Sequence, residues 1–348
     1  MKRCGLLLVT LYSLLCSSCS MENSTALYPV QVKDGKFGYI DSKGRTAIEP
    51  RFDFAGKFSD GLAVAVSGSK CGFIDTGGEW VIQPQYDKAL PFSDGLSLVE
   101  HESGRAYIDK QGGIVLKAQR FKQALPFTEG LAAVILSADP DKWGYIDKAG
   151  NTVIEPRFTR AWPFADGSAI VAINKNYAFI NREGKYLFNR IVNFHVIFNS
   201  LSAFAMLNPG FQKNIFGFPE GLTPVLTKGK AGYIDRAGSM VIEPQFSAAL
   251  PFCEGLAPVS SEGKWGYIDK SGKMVIEPGF DTALFFSDGL AGVKRDGKWG
   301  YINKKGKMVI EPGFEQAGSF SGWLALVTLD DKSIYIDRKG KTVWEPED

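Results

Sequence analysis

The chain is poor in the residues that most chemistry needs. His101 and His195 are its only two histidines in 348 residues, and neither has a metal-ligand partner at useful spacing. There is no Gly-rich phosphate loop and no nucleophile elbow. No cofactor or metal is expected from such a sequence. Neither sign of charge dominates: 40 basic residues against 38 acidic ones give a formal net charge of +2. With no basic block either, nucleic acid is not expected as a partner. The N-terminal apolar run, Gly5 to Leu15, is too short to cross a bilayer as a helix, which takes roughly 20 residues. What the chain does have is 45% apolar and 13% aromatic residues, enough for a sizeable core and far from a disordered composition.

Its dominant feature is a returning phrase. Trp143-Gly144-Tyr145-Ile146-Asp147 reappears at Trp265 to Asp269 and, ending in Asn303, at Trp299. Looser copies begin at Phe37, Cys71, Arg105, Tyr177, Ala231 and Ser333, so most successive starts lie 34 residues apart (71 − 37, 299 − 265). A fixed period of this size marks a tandem array of one small unit. A residue type found in every unit is then scaffold first.

The unit from Leu256 to Pro278 shows the design. Leu256 to Val259 reads as a short strand c, Trp265 to Asp269 as strand a, and Met274 to Glu277 as strand b stopped by Pro278. Asp or Asn opens the a–b turn in every unit and Gly follows three residues later, as in Asp269 and Gly272. That is type I turn chemistry with the glycine at positive φ. Strand a carries a glycine (Gly38, Gly72, Gly144, Gly232, Gly266, Gly300) where close backbone or aromatic approach is expected. Ala106 and Ala178 keep that place small, and Ile334 in the last unit reads as a cap with no neighbour beyond it. The connectors to the next unit hold two recurrent apolar anchors, such as Phe280 and Phe286, and are expected to pack.

The array runs from Leu27-Tyr28-Pro29-Val30 to Val343-Trp344-Glu345-Pro346, nine c–a–b units in all. Propellers usually have four to eight four-stranded blades. The expectation is therefore an all-β, open, curved superhelix or solenoid of about nine three-stranded units, with a closed propeller-like toroid as the alternative. Cys71 and Cys253 lie units apart, and a bridge between them would require the array to curl back; two buried free thiols are expected.

Lys-Trp-Gly-Tyr-Ile-Asp, Gly-Lys-x-Val-Ile-Glu-Pro-x-Phe and Phe-Ser-Asp-Gly-Leu-Ala together resemble the bacterial WG (KWG) repeat family across residues 27–346. The resemblance implies an all-β repeat protein, often exported, with no enzymatic activity assigned to the repeat. Binding or scaffolding is the role it implies. Only three of the nine units keep Trp at the first position, so the aromatic there is dispensable.

The N-terminus points to export. Lys2 and Arg3 precede the apolar run, and Cys16-Ser17-Ser18-Cys19 follows. Two small residues before a cysteine resemble a lipoprotein signal, with Cys19 as the lipidated residue, although Cys16 stands where Leu is usual. The division expected is a signal peptide (1–18), a lipid tether (19–26) and the array (27–346). The location expected is the cell envelope, on the outer membrane; a secreted or periplasmic protein is the alternative.

Candidate sites are few. Glu49, Glu155, Glu243, Glu277, Glu311 and Glu345 each precede Pro in equivalent units and read as solvent-facing strand ends. A catalytic carboxylate pair instead needs one raised pKa in a unique pocket. Trp80, Trp162, Trp323 and Trp344 read as core, with sugar stacking as the sharper possibility. The period breaks once: 54 residues separate Tyr177 from Ala231, with about 20 extra between Tyr186 and Phe216. Phe194, Phe198, Leu201 and Phe204 in this insertion are the candidate interaction residues, on a segment whose pattern fits strand or helix. The function expected is non-catalytic recognition of an envelope protein, with a glycan or peptidoglycan ligand as the rival and a glycan-cleaving enzyme last.

Overall fold

Aromatic and β-branched residues alternating along short runs, punctuated by Asp and Gly, form antiparallel ladders throughout the chain. The computed structural model describes residues 26–188 and 217–347, except 103, 118–119, 139–140 and 175. It contains nine separate sheets of three or four strands. The seventh is typical. A short connector strand Ala248–Ala249 pairs with strand c (Ala257–Ser261), c with a (Lys264–Ile268), and a with b (Met274–Phe280).

Two local expectations change here. The connector supplies a fourth strand in six of the nine sheets, so most blades are four-stranded and not three-stranded. Strand b also runs through Pro278 to Phe280 instead of stopping at the proline. It can do so because b is the edge strand of its sheet, where a missing N–H breaks no ladder.

The a–b turn is as expected. The turn glycine has positive φ in every unit, for example Gly272 at 85° and Gly340 at 83°. In blade 7 the Asp269 carboxylate accepts from the N–H groups of Ser271 (2.9 Å) and Lys273 (3.1 Å), and Gly272 N–H donates to the Asp269 carbonyl at 2.9 Å. Turn and strand pairing are thus built from one short stretch of sequence.

Each sheet is apolar on both faces. Tyr267 packs with blade 8, in a cluster with Ala283, Phe286, Val293 and Ile302, while Ile268 packs with blade 6 beside Phe252 and Val259. Cores therefore lie between sheets, not within them. An open array would leave one face of each terminal unit bare. Instead Ile40 of the first unit is 0% exposed and Tyr335 of the last is 4% exposed, in one cluster that also holds Tyr28, Val30 and Leu324.

The open solenoid expectation is overturned, and the closed alternative holds: the chain is a nine-bladed β-propeller. Three repeated contacts recur across the junction of blade 9 with blade 1. The strand-a aromatic normally stacks on the next connector's phenylalanine (Tyr267–Phe286, 4.9 Å; Tyr301–Phe320, 4.9 Å), and Tyr335 stacks on Tyr28 at 5.6 Å. The turn glycine of each blade leans on strand b of the preceding one (Gly272 on Ile242), and Gly44 leans on Val343. The Tyr267 hydroxyl donates to the Leu284 carbonyl (2.8 Å), and Tyr335 donates to Pro29 (3.0 Å). Closure buries two apolar faces that solvent would otherwise meet, which at about 25 cal/mol per Å² outweighs the small curvature needed.

The strand-a glycines have a specific neighbour. A Cβ on Gly300 would lie 2.5 Å from the Ile310 carbonyl oxygen and 2.8 Å from Pro312 N, both backbone of the same blade's strand b. The ladder shifts register there, a bulge that presses b onto a. The exceptions follow from this geometry. Ala106 and Ile334 occur where strand b is only Ile114–Leu116 or only Thr342–Trp344, and Ala178 where no strand b is found among the described residues. Ile334 is no terminal cap, because blade 9 has blade 1 as its neighbour beyond; Ile334 itself is buried against blade 8. It is tolerated because no bulge presses on it.

Candidate binding surface

Most connectors bring an acidic group to their junction. Asp60, Glu129, Glu220 and Glu254 sit at positive φ between 51° and 54°, each just before a glycine. Their carboxylates reach the N–H of the equivalent glycine one blade on: Asp60 to Gly95 at 2.8 Å, Glu129 to Gly167 at 2.9 Å, and Glu254 to Gly289 at 3.1 Å. Basic residues from the a–b turns complete the clasps, with Lys270 on Glu220 and Lys304 on Glu254, both at 3.0 Å. Burial, with the Glu254 carboxylate nearby, pushes the Asp288 carboxyl up. These carboxylates are engaged in joining blades, and acid–base work is not what their partners prepare them for.

A second set of ion pairs ties several connectors to the preceding strand a. Lys36, Lys264 and Lys298 hold Asp53, Asp281 and Glu315 at 2.6 Å. The lysine's hydrogen bond keeps each of these three carboxyls below its ordinary value.

The outward surface of strand b is different in kind. Its valines Val81, Val115, Val153, Val241, Val275 and Val309 are 41–46% exposed, one per blade at one register. Period 2 along the strand puts Gln83, Lys117, Glu155, Glu243, Glu277 and Glu311 on the same face, and all six are exposed. The result is a row of half-exposed valines flanked by polar and charged side chains. The only exposed aromatics among the described residues are Tyr186 and Trp323, in different blades.

A family model for the WG-containing repeat matches the chain seven times, over residues 37–71, 72–103, 106–136, 143–186, 232–265, 265–299 and 299–332. The chain belongs to the WG-containing repeat family. No curated protein matches it. Its fold is similar to a crystal structure of the eukaryotic initiation factor, with 11% identity, 93% of this chain and 96% of the other covered, and a TM-score of 0.61. Dihydro-heme d1 dehydrogenase NirN in complex with DHE also aligns, with 13% identity, 94% and 79% coverage and a TM-score of 0.46. At such identities the likeness is one of fold alone. Blades repeated in this way make a propeller scaffold consistent with recognition.

In this WG-repeat propeller the residues singled out in the sequence have different placements. Cys19 and the insertion residues Phe194, Phe198, Leu201 and Phe204 lie outside the described residues. The glutamates before proline are exposed along strand b, the solvent-facing positions expected. Of the tryptophans, Trp162 is 2% exposed, Trp80 packs edge-on against Phe52, and Trp344 joins the cluster that closes the ring. Trp323 is exposed. Neither Cys71 nor Cys253 is in a disulfide; Cys253 is buried and Cys71 half-buried. His101 ends a strand on the surface. Among the described residues no group of three or more His, Cys, Asp or Glu side chains is placed to hold a metal ion. Sequence reasoning missed the inter-blade clasps. Their signal was present in Ser-Asp-Gly, because an acidic residue directly before glycine suits two successive positive φ values.

Proposed function

We propose that this protein is a non-catalytic recognition scaffold of the cell envelope that binds a protein partner along the outer strands of its blades. The observation that carries the reading is the valine row. Six exposed valines among charged neighbours make a mixed apolar and polar surface of the kind protein interfaces use. A glycan ligand instead favours aromatics aligned on one face, and Tyr186 and Trp323 are not aligned. The insertion, within about residues 186–216, is a second docking element in this proposal, through Phe194, Phe198, Leu201 and Phe204.

Residues 1–18 serve as an export signal, 19–26 as a tether and 27–346 as the propeller. Cys19 carries the lipid that anchors the chain to the outer membrane, each buried CH₂ contributing about 0.8 kcal/mol. Release into the periplasm or medium is the alternative. Cys19→Ala is expected to convert a membrane-bound form into unprocessed precursor or soluble protein on fractionation. Equal recovery in detergent-free membranes rules out the anchor.

The binding proposal is tested by pull-down from envelope extracts with three baits: the wild-type chain, Val241→Glu/Val275→Glu/Val309→Glu, and a chain lacking residues 191–210. The expected result is one protein captured by the wild type and lost from the triple variant, with an unchanged melting temperature. Loss in the deletion alone moves the site to the insertion. Retention of peptidoglycan fragments by all three baits, with no protein captured, overturns protein recognition.

A further inference from the structure

The end of the ring that carries the a–b turns is charged unevenly, and the fold collects that charge. Each turn has five residues, from the opening Asp or Asn to the residue after the turn glycine. In blades 7, 8, 9 and 1 these are residues 269–273, 303–307, 337–341 and 41–45. Together these four turns hold ten lysines and arginines against three aspartates. The turns of blades 2 to 6 hold five cations against six carboxylates. The sequence shows no basic block because successive turns lie 34 residues apart, as in Asp269 and Asn303 (303 − 269). In the ring they are neighbours: Gly306 leans on Ile276, Gly340 on Ile310 and Gly44 on Val343.

Four of the ten cations are engaged within the propeller. Lys270 and Lys304 pair with Glu220 and Glu254, Arg45 pairs with Asp41, and Arg338 donates to the Asp288 carbonyl. The other six, Lys43, Lys273, Lys305, Lys307, Lys339 and Lys341, are exposed and make no ion pair among the described residues. At the junction of blades 9 and 1, Gly322 stands where Glu254 and Asp288 stand at the two junctions before it, so this column adds no carboxylate there. The four turns also share one backbone form. In each, the residues two and four places after the opener donate their N–H groups to its side chain, at 2.8–3.1 Å. Turns of one form on blades of one design hold their lysines at one level. A flat anionic surface meets all four turns at once, whereas a small ligand reaches only one of them.

The chain enters the propeller at this same end. Tyr28, the first residue of strand c in blade 1, pairs with Ile40, which directly precedes the turn opener Asp41. Cys19 lies seven residues before Ala26 (26 − 19), a reach of at most about 25 Å. We propose that the lysine arc of blades 7, 8, 9 and 1 is a docking surface for an anionic phospholipid membrane. The choice of a membrane over an acidic protein rests on the anchor reading above, because a lipid on Cys19 brings the bilayer within reach of this end of blade 1. The lysine ammonium groups meet lipid phosphates, and each adds to the attraction of the others. The propeller stands with its a–b turns on the bilayer. Strand b runs away from it, with Lys273 at the membrane end and Val275 and Glu277 farther out on the same face. The valine row is left open to a partner.

The test is flotation of the full chain carrying Cys19→Ala, which has no lipid, with phosphatidylcholine vesicles containing about 30% phosphatidylglycerol. Saturable binding is expected. It should fall between about 0.1 M and about 1 M salt, as the Debye length shrinks from about 10 Å to about 3 Å. Adding Lys305→Glu/Lys307→Glu/Lys339→Glu/Lys341→Glu should weaken it about a hundred-fold or more, since each lysine at such a surface contributes roughly five-fold. The turns should keep their form and the melting temperature should not change, because Glu183 and Glu79 already occupy these registers in blades 5 and 2. Lys33→Glu/Lys117→Glu/Lys185→Glu/Lys228→Glu makes the same change of charge at exposed positions off the arc, and should weaken binding less than about three-fold. Equal loss in the two quadruple variants, or equal binding to pure phosphatidylcholine vesicles, overturns the proposal. Absence of binding also overturns it, in favour of an acidic protein where one is captured by the parent chain and lost from the arc variant. The result does not depend on Cys19, so a failed anchor and a failed arc are told apart by the fractionation described above.

Discussion

Tyr28→Ala is expected to destabilise the whole propeller by about 3–5 kcal/mol, the range for removing a buried aromatic side chain. Tyr28 is 5% exposed and stacks edge-on against Tyr335. Its hydroxyl donates to the Ser321 carbonyl at 2.8 Å and accepts from Trp323 N–H at 3.0 Å. Every other strand-c residue at this register is Ala, Ser or Thr, such as Ala63, Ala257 and Ala291. The tyrosine is thus a substitution specific to the closing junction. Tyr28→Phe keeps the packing and loses both hydrogen bonds, so about 1–3 kcal/mol is expected, because the Trp323 N–H is left without this acceptor. Urea denaturation of the two variants beside wild type measures both. If Tyr28→Ala costs no more than a surface substitution such as Gln111→Ala, the ring does not depend on this junction and the account of closure fails.

The two glycine columns should respond very differently to valine. At Gly300 the added Cβ meets backbone on strand b at 2.5 and 2.8 Å. Backbone in a ladder cannot move aside, so Gly300→Val is expected to cost more than about 4 kcal/mol or to abolish folding, in the exceptional range for single substitutions. At Gly272 the obstacle is mainly conformational. Its φ is +85° and the nearest atom to an added Cβ is the Ile242 Cγ2 at 3.0 Å, a side-chain methyl. Gly272→Val should therefore cost about 1–3 kcal/mol. The control is already in the chain: Ile334 occupies the Gly300 column in blade 9, where strand b stops at Trp344. Calorimetric melting of both variants gives the order. A Gly300→Val protein as stable as Gly272→Val removes the close-approach explanation.

Both predictions rest on features of unequal visibility in the sequence. Asp269 and Gly272 announce their turn because each geometric demand falls on one residue within a few positions, and the turn is found as read. Gly300 announces that something approaches closely, but not what. The approaching atoms are the carbonyl of Ile310 and the nitrogen of Pro312, brought there by a bulge that no residue type signals. The connector strand was missed for a related reason. Most connectors pair through only two residues, such as Ala248–Ala249, too few for a period to show. The reading of Ile334 as a cap failed because it assumed a free end.

The sequence by itself determined the repeat, its nine units, the all-β class, the turn chemistry and the two-faced strands, because each follows from local residue spacing of a few to 34 positions. Only the tertiary structure decided that the array closes. Closure depends on a small rotation between successive blades summed around the ring, and no single unit encodes that sum. Its record in the chain is one residue, Tyr28, whose role appears only when Tyr335, 307 positions later (335 − 28), lies against it.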